Sequence, residues 1–64
     1  METFKISLAA ARVNAELTQD EAAKLLGVSK NTIVNWEKGI SSPSINKVDA
    51  MCKLYNVPFS FLRF

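Results

Sequence analysis

Lys30, Asn31, Val34, Asn35 and Lys38 follow one another at offsets of one, four, five and eight, which puts all five on one side of a helix. Ile33, Trp36 and Glu37 turn away from that side. The face so formed carries an ammonium at each end, two primary amides, one apolar residue and no acid. An amide pairs a donor with an acceptor, and an ammonium donates only. Such a set recognises polar base edges and anionic oxygens. It does not break bonds. The chain has no His, which excludes imidazole acid/base catalysis, Ser-His-Asp and Cys-His nucleophiles and the common imidazole metal sites. The single Cys52 forms neither an internal disulfide nor a zinc site and reads as a small core residue. No enzyme, cofactor, metal or small-molecule substrate is expected.

A face of this kind must be held by a fold, and 64 residues allow one small domain, taken as 1–64. Eight Lys and Arg against six Asp and Glu leave a net charge of +2, so the placement of the basic residues matters more than their number. No apolar run nears the ~20 residues that cross a bilayer, and the helices carry no dense basic stripe for a membrane surface. No basic-then-apolar leader opens the chain, so a reducing cytoplasm is the expected setting. Linkers, low-complexity tracts and internal repeats are absent from the sequence.

Gly, Pro, Ser and Thr divide the chain into helix-sized pieces, and no long alternating segment suggests a sheet; the expected class is all-α, with four to five short helices. Ser7 can cap a first helix from about Leu8 to Ala15 with Leu8, Ala11 and Ala15 on one face. Thr18 and Glu21 form a capping box that starts a second helix at Gln19, with Ala22, Ala23, Leu25 and Leu26 as its apolar set and Gly27 as its stop. Ser29 caps the third helix, Lys30 to Lys38, which closes at Gly39; Val28 and Ile33 are spaced as a hydrophobic staple. After Ile40-Ser41-Ser42-Pro43, Ser44 caps a fourth helix that buries Val48, Met51, Cys52 and Tyr55 and stops at Asn56. The tail Phe59 to Phe64 fits either a fifth helix with Phe61 and Leu62 inward or an extended segment paired with Phe4-Lys5-Ile6.

Two short helices joined by a tight glycine turn, the second polar on its outer face, form a helix-turn-helix, whose second helix enters the major groove of DNA. The residues Leu17-Thr18-Gln19, Leu25-Leu26-Gly27-Val28-Ser29, Ile33, Trp36-Glu37-Lys38-Gly39, Pro43-Ser44 and Tyr55-Asn56-Val57 occur in the order seen in the phage repressor/Cro (Xre-type) helix-turn-helix family, which the chain resembles from Ser7 to Leu62. The resemblance implies a lambda-repressor-like bundle used as a homodimer on double-stranded DNA. It further implies base reading by Lys30, Asn31 and Asn35, and phosphate contacts from Gln19, Thr32, Lys38 and Gly39. It also pairs Arg12 with Glu37, tying the recognition helix to the bundle. By geometry Lys30 suits guanine, Asn31 and Asn35 suit adenine, and Val34 suits a thymine methyl. Asn56 departs from the family's usual glycine but tolerates the same left-handed backbone. The aromatic tail is a second departure.

Blander readings compete with several of these. Lys30, Asn31 and Asn35 would be unremarked on any solvated helix face, but the surrounding frame favours a groove-facing role. Trp36 fits a core or loop-anchoring role better than stacking on a base. Lys24, Lys47 and Lys53 read as ordinary solvated charges. Phe59, Phe61, Leu62 and Phe64 either complete the small core or form a dimer contact. The functional expectation is a transcriptional regulator, a repressor of bacterial or phage type. Its rivals are the antitoxin of a toxin-antitoxin pair and a protein-interaction module on the same fold.

Overall fold

The computed structural model describes residues 5–63, with strand β1 (Ile6–Ser7), helices α1 (Leu8–Asn14), α2 (Gln19–Leu26), α3 (Lys30–Lys38) and α4 (Ile45–Tyr55), a 3-10 turn (Phe59–Phe61) and strand β2 (Leu62–Arg63). Each α-helix starts at a hydroxyl. Ser7, Thr18, Ser29 and Ser44 accept from the backbone N–H three residues on, a cap that stabilises a helix by about 1 kcal/mol. At Thr18 the box closes in both directions, with Glu21 N–H donating to Thr18 Oγ1 at 3.1 Å and Thr18 N–H to Glu21 Oε1 at 2.8 Å.

All four helix ends turn through the left-handed region: Glu16 at φ 63° in the turn after α1, Gly27 at φ 72°, Gly39 at φ 78° and Asn56 at φ 57°. After Gly27, Val28 N–H donates to Ala23 O at 3.0 Å; after Gly39, Ile40 N–H donates to Asn35 O at 2.9 Å. These bonds occupy carbonyls that the helix ends leave without partners. Gly27 therefore sets the sharp entry into α3, which packs chiefly on α2.

Leu8, Ala11, Ala22, Ala23, Leu26, Ile33, Trp36, Val48, Met51, Tyr55 and Leu62 are buried, with Val28, Ala15 and Leu17 half-buried against the same core. Ala11, Ala22 and Ala23 let the helices approach closely because their side chains end at Cβ. One expected core position differs. Leu25 is 63% exposed: it lies about 100° around the axis from Leu26, beyond the narrow arc of α2 that its neighbours cover. Cys52 is half-buried and packs against the same core, as expected.

The tail combines parts of both expectations. Its 3-10 turn leads into β2, which pairs in parallel with β1 in the register Ile6 with Leu62 and Ser7 with Arg63. Lys5 lies before this pair, and Phe4 and Phe64 lie outside the described residues. Leu62 points inward, but Phe61 is 40% exposed, because the chain leaves its helical turn there and the face that continued helix would have buried is lost.

Candidate nucleic-acid interface

Helix α3 is positioned by its apolar side: Ile33 and Trp36 insert into the core, which leaves the opposite side outward. On that side Lys30, Asn31 and Lys38 are exposed, and Val34 and Asn35 are half-exposed. Among the described residues, the side-chain nitrogen and oxygen atoms of Lys30, Asn31, Asn35 and Lys38 have no hydrogen-bond or ion-pair partner within the chain. The face thus presents unused donors and acceptors together. Thr32 is half-buried, and its hydroxyl lies 2.9 Å from Ser29 Oγ. The N–H groups of Gly39, Ile40 and Ser41 point back to carbonyls of Asn35 and Trp36, closing α3.

Behind this face, Arg12 and Glu37 bind α1 to α3. Arg12 Nε donates to Glu37 Oε2 at 2.7 Å and Nη2 to Oε1 at 3.3 Å, while Nη1 donates to Leu17 O at 2.8 Å. The side chains retain only 13% and 8% of their exposure. Its hydrogen bonds to the Glu37 carboxylate raise the pKa of Arg12, partly opposed by burial. Gln19 Nε2 adds a third contact, donating to Glu37 Oε1 at 3.0 Å. One carboxylate therefore gathers α1, the start of α2 and α3. Breaking such a pair from one side would strand the other charge in a poorly solvated place.

Two features escaped sequence reasoning. Lys47 is not an ordinary solvated charge: it is half-buried, and its Nζ donates to Leu26 O at 2.7 Å, fastening α4 to the last turn of α2. The Gln19 contact with Glu37 is the other. Both partners are remote in sequence, and no local pattern marks either contact. A correction also applies to the tail, where Leu62 is buried at 4% and so offers no surface to a partner, whereas Phe59 and Phe61 are exposed. Among the described residues no acidic or thiol cluster could hold a metal ion, and no helix is long and apolar enough to cross a membrane.

The arrangement, a capped α2, a left-handed glycine and a polar-faced α3, is matched by the helix-turn-helix family model over residues 8–62. The chain belongs to the phage repressor/Cro-type helix-turn-helix family. This helix-turn-helix is 43% identical over 51 residues to the cryptic phage CTXphi transcriptional repressor RstR of Vibrio cholerae, covering 80% of this chain and 46% of the relative. It is 38% identical over 48 residues to the antitoxin PezA of Streptococcus pneumoniae, covering 75% of this chain and 30% of the relative. An uncharacterised transcriptional regulator of the same type from Methanocaldococcus jannaschii is 44% identical over 41 residues, which cover 64% of this chain and 62% of that protein. The chain thus spans less than two thirds of the length of each of these relatives. No solved structure gives a significant match.

Proposed function

We propose that this helix-turn-helix binds double-stranded DNA as a symmetric homodimer in the cytoplasm, lays α3 in the major groove of each half-site and acts as a transcriptional repressor. The observation that carries this reading is the acid-free face of α3, whose four polar side chains have no partner within the described chain. Lys30, Asn31 and Asn35 reach base edges, and Val34 meets a thymine methyl. Lys38, Thr32 and Gln19 take backbone phosphates, the Gln19 amide keeping one N–H for a phosphate while the other stays on Glu37. Gly39 serves by turning the chain after α3, since its own N–H is engaged. Phe59 and Phe61 supply the apolar contact between copies. Two-fold symmetry then places the half-sites about one helical turn, ~34 Å, apart. The role is recognition and involves no catalysis.

Selection from a randomised duplex library at two salt concentrations, repeated with Asn31→Ala and Asn35→Ala, tests this. A two-fold-symmetric site should emerge. Each substitution should relax the preference at particular base pairs and weaken binding by about 1–3 kcal/mol, with all affinities falling as salt rises. Absence of enrichment, and of binding even at low salt, would remove the DNA reading.

The similarity to an antitoxin favours a second reading, in which the same α3 represses an operon and another surface holds a toxin. Co-expression with a neighbouring toxin gene distinguishes them: only an antitoxin relieves growth arrest.

A further inference from the structure

A cleft of about 220 Å³ lies where the end of α3 meets the strand pair. Leu8 and Trp36 contribute apolar lining, and Lys38, Gly39 and Arg63 line it with Glu37. The pairing of Arg63 with Ser7, the cap of α1, fixes the backbone that carries the guanidinium. Lys38 is the last residue of α3. The two cations are thus brought to one cleft by elements far apart in the chain. Both are exposed, and among the described residues neither has an ion-pair partner. Glu37 does not neutralise them, because its carboxylate oxygens are held by Arg12 and Gln19.

We propose that this cleft is a DNA phosphate site, with Arg63 as a backbone contact from outside the helix-turn-helix. The inference rests on the reading of α3 as the groove-entering helix. In that reading Lys38 is the link, because it ends the outer face of α3 and also lines the cleft, so the cleft adjoins the end of the groove-entering helix. A guanidinium suits the position because its planar fork can donate to two oxygens of one phosphate, whereas an ammonium acts as a point charge. The β1–β2 pair acquires a role in binding: it delivers Arg63 to the DNA backbone.

The test measures affinity for a selected duplex and for a random duplex across a salt series, using the full chain, Arg63→Gln, Arg63→Lys and Arg63→Gln with Lys38→Gln. Loss of one phosphate contact should lower the slope of log K against log salt by about 0.9, and loss of both by about 1.8. Arg63→Gln should weaken both duplexes by the same factor, roughly tenfold, the lower end of the scale of one charged hydrogen bond. Arg63→Lys should keep the slope and recover part of the affinity. Thermal melting should not change, since the Arg63 side chain is exposed. If the unmodified chain binds and Arg63→Gln matches it in affinity and slope, the cleft is no phosphate site. A loss confined to the selected duplex would make Arg63 a reader of bases and overturn the assignment. Failure of the unmodified chain to bind any duplex would overturn the DNA reading itself.

Discussion

Tyr55 stands beside the Arg12–Glu37 pair with its hydroxyl buried and without a hydrogen-bond partner among the described residues. Leaving a polar group so placed costs about 1–3 kcal/mol. Tyr55→Phe keeps the ring and removes the cost, so it should raise unfolding free energy by about 1 kcal/mol, seen as a higher melting temperature. Burial pushes the Tyr55 pKa up, Glu37 adds to this, and Arg12 opposes it. The folded chain therefore holds the proton at pH values where the unfolded chain, titrating near the ordinary value of about 10, has released it. Stability should fall as pH rises above that point. The variant should lack this fall, and urea titrations at stepped alkaline pH measure it. An equal fall in both proteins would assign the alkaline loss to other groups. Cys52 follows the same physics, burial pushing its thiol up and Asp49 adding to it.

Among the elements, the end of α4 offers the sharpest comparison. Asn56 sits at φ 57° and ψ 48°, a conformation that costs a residue with Cβ about 1–2 kcal/mol and that Asn visits more readily than other such residues. Asn56→Gly should leave stability nearly unchanged, while Asn56→Ala should lower it by about 1 kcal/mol, both read by chemical denaturation. The ends of the helices were legible because capping is local: Ser29 and Thr32, or Thr18 and Glu21, lie within one turn. The polar face of α3 was legible for a related reason, since helical period alone separates Ile33 and Trp36 from Lys30, Asn31 and Asn35. What escaped depends on neighbours distant in the chain. Leu25 and Leu26 look alike until one knows which element covers α2. The partner of Lys47 is a carbonyl 21 residues away. Strands of two residues are too short to show alternation, so β1 and β2 left only a hint in the tail.

For the whole molecule, the proposed homodimer puts the exposed aromatics Phe59 and Phe61 at the contact between copies. Phe59 is 55% exposed, and beside it α4 and the tail enclose an open cleft of about 570 Å³ lined by Ile45, Val48, Val57 and Phe59. Exposed apolar area of this kind is a natural contact between copies. Phe59→Ser combined with Phe61→Ser should shift sedimentation toward monomer and weaken operator binding, while the melting temperature of the dilute protein stays level. Unchanged sedimentation would remove the proposed contact through Phe59 and Phe61. The β1–β2 pair has a mechanical consequence as well. Its strands run parallel, so the chain enters β1 and leaves β2 at opposite ends of the pair. Tension between the two termini then loads both pairings in shear, together, instead of peeling them one after the other. Whatever pulls on either end of this chain pulls first on a small clasp anchored in the core through Leu62.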